Sequence, residues 1–292
     1  MSVATRFNAF LGNLTLTDSQ IADGKARTES VISVLNKQYW NSTSGSSNSV
    51  NVGSWAKFTR IRPPRDVDVL IELPASVHTR FEGRTGNRQS QLLQEVRSTL
   101  SKAFLNTAIK GDGPAVIVPF STYCVELIPS FQLSGGGHWV CMTDNGGHYK
   151  KADYSAEASA ILHSNETTNG NTRHLVRMMK RWQAHCSVSL KSFHIEITVM
   201  DFLKTWGNAG KSATYYDWMV RDYLAYLVGR ENKWIDAPGT GEAMYLGSAW
   251  VSRAESALSR AKNACIYEAS NDSSNAGDEW QKIFGSDIPK YV

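Results

Sequence analysis

Apolar positions in this chain change their period several times along its length. Over residues 17–40, Ile21, Ile32 and Leu35, helped by the methyl of Thr28, give a partial helical stripe, with Gly24 as its weak point. Residues 41–51 (NSTSGSSNSVN) lose all periodicity and read as a loop. Over 66–73 (DVDVLIEL) the period falls to two, with β-branched residues, which predicts a strand. A helix is expected over 88–109, then strands at 115–119 and 122–128. A hairpin follows, 138–142 with 148–151, turning through Asp144-Asn-Gly-Gly. From 155 onward the texture is helical: 155–163, 172–186, 192–206, 212–230 and, after a looser stretch, 249–269. The simplest architecture is an α+β chain of two lobes. An N-terminal α/β lobe (1–154) with a mixed sheet and a leading helix is followed by a helical lobe (155–292).

Composition narrows the class. Hydrophobic residues make up 41% of the 292, enough for a sizeable core and too many for a disordered chain. No apolar run approaches the ~18 residues that span a bilayer, and MSVATRFNAF has no secretory pattern. Membrane association is therefore not expected. Cys124, Cys141, Cys186 and Cys265 are scattered without metal-ligand spacing, as reduced thiols of a cytoplasmic protein would be. A net charge of +4 permits an anionic substrate without requiring a nucleic-acid track.

The candidate chemistry lies in Gly53-Ser54 and, after a short basic stretch, Asp66-Val67-Asp68. Strand side chains alternate faces, so Asp66 and Asp68 put two carboxylates on one side. Such like charges repel unless a cation lies between them, and Mg²⁺ takes oxygen ligands of this kind while bridging to phosphates. Glu126, in the strand-like YCVELIPSF, is the candidate third acid for a two-metal site. Gly53 lets backbone approach a phosphate closely, and Ser54 follows it. Each piece alone has an ordinary reading: a solvated strand edge, a common dipeptide. Their order and spacing carry the specificity. Arg173, Arg177 and Lys180 share a narrow helical arc opposite Leu175, Met178, Met179 and Trp182. That is either a solvated basic face or a phosphate partner. Lys57, Arg60, Arg62 and Arg65 crowd the motif loop and read mostly as exposed charges, some of them placed to steer nucleotides in. Gly135-Gly-Gly137 lacks the Gly-Lys-Ser/Thr of a P-loop. The seven histidines show no metal spacing, and His194 reads as a structural hydrogen-bonder.

These residues resemble the DNA polymerase β-type nucleotidyltransferase superfamily. Within it they resemble the bacterial CD-NTases, relatives of cyclic GMP-AMP synthase and oligoadenylate synthetase. The likeness rests on 52–74 (VGSWAKFTRIRPPRDVDVLIELP) and 125–131 (VELIPSF), with support from LVRMMKRW, LKSFHIE, 233–236 and WQKIFG later in the chain. It implies a two-lobed fold with the active site between the lobes and two metal ions, Mg²⁺ or alternatively Mn²⁺, on Asp66, Asp68 and Glu126. It further implies nucleotide contacts from Gly53, Ser54, Lys180, Ser192 and Phe193. The substrates would be nucleoside triphosphates (ATP, GTP, UTP or CTP), and the products cyclic di- or trinucleotides. The setting would be bacterial anti-phage (CBASS) signalling through a product-activated effector protein. Glu126 departs from the Asp of many members, and Pro289-Lys-Tyr-Val292 lacks the small terminal residue of those that are conjugated to targets. Two other readings remain open at this level. One is a transferase acting on an RNA, protein or small-molecule hydroxyl; the other is a non-catalytic nucleotide sensor. Phe193 could equally be a core residue.

Overall fold

The computed structural model describes residues 2–292. Contacts divide the chain into a sheet unit, residues 16–58 and 64–158, and a helical unit, residues through Thr15, 59–63 and 159–292.

Within the sheet unit, α2 (Asp18–Trp40) starts where a capping box allows: Thr17 accepts from the Gln20 N–H while the Gln20 side chain accepts from the Thr17 N–H. β2 (Asp66–Glu72) runs parallel to β5 (Cys124–Gln132). β1 (Ser49–Asn51) lies antiparallel to β2, β4 (Ala115–Pro119) antiparallel to β5, and β3 (Lys110–Asp112) beyond β4. β6 (His138–Met142) joins the end of β5, with β7 (His148–Ala152) outside it. Among the described residues this makes a mixed seven-stranded sheet of order β1-β2-β5-β4-β3, with β6 and β7 branching from β5.

The period-two pattern decides what each face does. Val67, Val69 and Ile71 of β2 and Val125, Leu127 and Phe131 of β5 point into the main core of this unit. There they meet Ile32 and Leu35 of α2 and Leu92, Val96 and Leu100 of α5 (Arg88–Ala103). The opposite face carries Asp66, Asp68 and Glu126, and farther along β2 a small apolar cluster of Leu70 with Val52 and Val140. The acids thus stand on the face that the main core does not use.

Several elements differ from the sequence reading. α5 ends at Ala103 and not at 109, and residues 110–112 pair as β3 instead. α3 (Gly53–Lys57) and α4 (Ala75–Glu82) are too short to show a period. β5 continues past 128 through Pro129. It can do so because β4 pairs only with 124–127 and β6 only with 130–132, so proline sits where neither antiparallel neighbour needs its N–H.

The helical unit contains the rest of α6 (Tyr154–Thr167), α7 (Asn171–His185), α8 (Ser192–Thr205), α9 (Tyr216–Val228), α10 (Val251–Ala269) and α11 (Ser273–Phe284). It also holds a hairpin of β8 (Trp234–Asp236) and β9 (Ala243–Tyr245). The sequence boundary at 154/155 falls close to the 158/159 junction. The structure differs at the N-terminus, where α1 (Ser2–Asn13) joins the helical unit because its apolar face is buried there. Phe7 packs edge-on to Trp280 at 5.1 Å, and Phe10 meets Phe284 at 4.8 Å. Arg6, fully buried, donates from Nε to Glu268 at 2.8 Å and holds the carbonyls of Ser273, Pro289 and Lys290. Among the described residues no helix is long and apolar enough to cross a membrane.

Gly24 has a packing reason. A Cβ there would lie 2.7 Å from the Trp55 ring and 3.2 Å from Tyr123, neither of which can yield cheaply. Gly24→Ala should therefore destabilise the protein by about 1–3 kcal/mol despite alanine's better helix propensity. Chemical denaturation reads this directly; a stabilised variant would show that Trp55 is free to move.

Candidate active site

The parallel register of β2 and β5 sets Asp68 opposite Glu126 and Asp66 opposite Cys124. Paired strands lie about 4.8 Å apart, so three carboxylates share one small patch of a single face. Their electrostatics follow from that crowding. Burial raises the Glu126 carboxyl first, and the neighbouring charges of Asp66, Asp68 and Asp112 push it further, to about 7, against an opposing pull from Lys110. Burial also raises Asp66, with Arg65 opposing. The Cys124 thiol is raised by burial, then by Asp66 and Glu126. Lys110, Asp112 and Cys124 are neighbours of the site that the sequence reading did not single out. Cys124, two residues before Glu126, was readable from strand periodicity.

Gly53 sits against this patch with φ +55°, a left-handed conformation that glycine tolerates. A Cβ on Gly53 would lie 2.1 Å from Asp68 Oδ2, so any larger residue would collide with the acid. The Val52 N–H donates to the Asp68 carbonyl at 2.9 Å, and the Trp55 indole N–H to the Asp66 carbonyl at 2.9 Å. Ser54 lies in the first turn of α3. The short helix is thereby fastened to the strand that carries the acids. Lys57, expected as an exposed charge, is instead buried, with Nζ 2.7 Å from Glu157 of α6. Beside Asp68 lies Tyr154, whose hydroxyl is raised by burial, Glu157 and Asp68.

The residues expected to hold nucleotide from the helical unit divide differently. Ser192 opens α8, exposed, its hydroxyl donating to Gln183 Oε1 at 2.9 Å. Phe193 is half-buried against the helical core. Lys180 is buried, and its Nζ donates to Glu196 at 2.6 Å and to Thr59 at 2.9 Å. Arg177 does not belong to a solvated basic face. Its guanidinium donates to the Leu11 carbonyl at 2.9 Å and to Thr15 Oγ1 at 2.7 Å, and burial lowers its pKa. Leu175, Met178, Met179 and Trp182 do form the buried stripe. His194 is buried, with its pKa lowered first by burial and then by Lys191, as a structural imidazole would be.

By donor chemistry the acid patch fits a hard divalent cation: all ligands are carboxylate oxygens, and their mutual repulsion is what such an ion relieves. Among the described residues, no three His, Cys, Asp or Glu side chains stand in a finished metal-binding arrangement. The Asp68 carboxylate lies against Gly53.

The raised Glu126 has a measurable consequence. Its proton is held in the fold up to about 7, whereas an unfolded glutamate loses it near 4.5. Stability contributed by this group is therefore complete below the unfolded pKa and is lost as pH rises through about 7. In a chelator, thermal melts should show stability falling across that window, and Glu126→Gln should flatten the slope. Asp217, pushed up to about 6 by burial, adds a slope of the same sign in the helical unit, so the readout is the difference between the two proteins. Identical slopes would mean that Glu126 does not feel its neighbours.

The family model for the Second Messenger Oligonucleotide or Dinucleotide Synthetase domain matches residues 1–165. A probable cyclic nucleotide synthase of Bacillus cereus (strain VD146) is 22% identical over 278 residues, covering 83% of this chain and 82% of its own. Among solved structures, CdnC of E. coli MS115-1 with ATP aligns over 98% of both chains at 18% identity and a TM-score of 0.73. Vibrio cholerae DncV, a cyclic AMP-GMP synthase and prokaryotic cGAS homologue, aligns over 98% of this chain and 96% of its own. Its identity is 12% and its TM-score 0.74. These likenesses show a shared polymerase β-like CD-NTase fold, α+β with a mixed sheet and a helical C-terminal part. The match over residues 1–165, more than half of the chain, establishes its family: this protein belongs to the Second Messenger Oligonucleotide or Dinucleotide Synthetase domain proteins.

Proposed function

We propose that this protein synthesises cyclic di- or trinucleotide messengers from nucleoside triphosphates, releasing pyrophosphate. The observation that carries this reading is the acid patch. Asp66, Asp68 and Glu126 meet on one face by strand register, with Gly53 packed directly on Asp68. In the reaction, a ribose hydroxyl oxygen attacks the α-phosphorus of a triphosphate. A new P–O bond forms, the bond to the β-phosphate oxygen breaks, and the hydroxyl proton is lost.

Asp66, Asp68 and Glu126 would hold Mg²⁺, or Mn²⁺ in its place, as a pair of ions. Such ions supply charge neutralisation for the phosphates and activation of the attacking oxygen. The chain's own residues do the positioning. Gly53 and Ser54 would hold phosphate through backbone N–H groups and the Ser54 hydroxyl, while the bare Cα of Gly53 leaves the Asp68 carboxylate its place. Ser192 and Phe193 would contact the nucleotide from the start of α8, Phe193 by stacking on a base. The ATP bound to CdnC supports a triphosphate substrate here. A cytoplasmic place in anti-phage (CBASS) signalling, with the product acting on a separate effector protein, completes the reading. Neither a membrane nor a nucleic acid is needed for such chemistry.

The test is incubation with all four ribonucleoside triphosphates and Mg²⁺ or Mn²⁺, followed by phosphatase and mass spectrometry. The expected result is a phosphatase-resistant product, with its rate reduced by at least about a thousandfold in Asp66→Asn and Asp68→Asn at unchanged fold. A product that persists in either variant would overturn the assignment of the acids. Label transferred only to an added RNA, protein or small hydroxyl compound would overturn the cyclic product.

A further inference from the structure

Beyond Glu126 the acid face continues across two more strands of the sheet unit. Register draws one straight row over it: Asp68 stands opposite Glu126, Glu126 opposite Ile117, and Ile117 opposite Lys110. Directly paired residues point to the same side of a sheet, so all four side chains share the acid face. Their neighbours agree. Val116 and Val118 of β4, and Ile109 just before Lys110, are buried in the main core on the other face. At about 4.8 Å between strands, the Lys110 backbone lies about 10 Å from that of Glu126. The row thus runs from acid to acid, over one buried isoleucine, to a cation.

Lys110 is exposed, yet its backbone is fixed. Residues 110–112 pair with β4, and Arg97 Nε donates to the Ile109 carbonyl at 3.0 Å. The turn beyond β3 is held by Thr143 Oγ1, which donates to the Gly113 carbonyl at 3.3 Å. The Lys110 ammonium has no hydrogen-bond or ion-pair partner among the described residues. Its charge still reaches the acids, where it opposes the rise of the Glu126 carboxyl. Asp112, on the same face, stands in the next row, opposite Ala115. An edge-strand lysine can also serve to keep another chain from pairing with the sheet. That role needs a charge anywhere on β3, whereas Lys110 stands in line with two acids.

Its place decides which phosphate it would meet. Gly53 and Ser54 lie beside Asp68, on the β2 side of the acids, and Lys110 lies on the other side, beyond Glu126. A triphosphate held by Gly53 and Ser54 is the one attacked. A phosphate at Lys110 therefore belongs to the other nucleotide, whose hydroxyl attacks.

We propose that Lys110 binds the 5′-phosphates of the acceptor nucleotide and so selects a phosphorylated acceptor over a bare nucleoside. This rests on the proposed function and assigns a second phosphate subsite on the same face of the sheet. A compact point charge on a flexible stem suits a ligand whose phosphates shift as the chain grows and closes.

The test is steady-state transfer by wild type, Lys110→Met, Lys110→Arg and Lys102→Met. Lys102 lies in the last turn of α5, which packs on the other face, and controls for the lost charge. A dideoxynucleoside triphosphate serves as donor, since without ribose hydroxyls it cannot itself attack. The acceptor is either a nucleoside triphosphate or the same nucleoside without phosphate. Lys110→Met should raise KM for the triphosphate acceptor about tenfold with kcat near wild type, as loss of uniform binding does. KM for the bare nucleoside should not change, because it carries no phosphate to lose. Lys110→Arg should keep most of the preference, and Lys102→Met should match wild type. Equal KM changes for the two acceptors, or none, would overturn the proposal. Unchanged KM with new oligomers of Lys110→Met on size exclusion would make Lys110 an edge guard instead. If wild type forms no product with any donor, the proposed function fails and calorimetry judges Lys110 separately. With Mg²⁺ and a non-hydrolysable triphosphate, wild type should then bind a second nucleotide that Lys110→Met binds about tenfold more weakly. Identical isotherms would rule the subsite out.

Discussion

Two strands running the same way, β2 and β5, bring Asp66, Asp68 and Glu126 together, and the repulsion among those acids is the constraint to which the surrounding structure answers. A sheet can afford such a patch only on a face that its main core leaves free. Here the alternation of the strands sends valine, isoleucine and leucine to the helices and the acids the other way. The repulsion also explains the company the acids keep. Gly53 offers no side chain where Asp68 needs room, Trp55 ties α3 to the backbone at Asp66, and Lys57 is buried with its charge on Glu157. Burial and these neighbours together let Glu126 hold its proton to about 7.

The helical unit is organised by a different requirement, the burial of a few charges on directed partners. Arg6 closes the chain's two ends on each other, taking the Glu268 carboxylate and the carbonyls of Ser273, Pro289 and Lys290. Lys180 and Glu196 hold Thr59 in the same manner. In both cases a residue distant in sequence is fixed by direction as well as by contact. Apolar packing around Trp182, Trp250 and Trp280 supplies the bulk of the burial without specifying which segment must lie where.

What could be read from the sequence follows this division. Asp66, Asp68 and Glu126 were legible because period-two alternation and a run of β-branched residues fix the face of a strand without knowledge of its neighbours. The parallel pairing of β2 with β5, which sets Asp68 opposite Glu126, was not, because register between strands separated by two helices and two further strands is a tertiary fact. α1 was missed although Phe7, Phe10, Leu11 and Leu14 carry helical spacing, since its stripe is short and its partners, Trp280 and Phe284, lie at the other end of the chain. The contacts of the basic arc on α7 were hidden for the same reason. Arg177 and Lys180 do share an arc, yet their hydrogen-bond partners are the end of α1 and the pair Thr59 and Glu196, which no local pattern announces.

Under the proposed function, the three carboxylates hold the cations together with the triphosphate. Crystals grown with Mn²⁺ and a non-hydrolysable triphosphate, measured for anomalous scattering at the manganese edge, test it most directly. The account predicts anomalous peaks within carboxylate-ligand distance, about 2.2 Å, of Asp66, Asp68 and Glu126, with the phosphates sharing the ions. A nucleotide bound with no manganese on those residues, or with the metal held elsewhere, would contradict it.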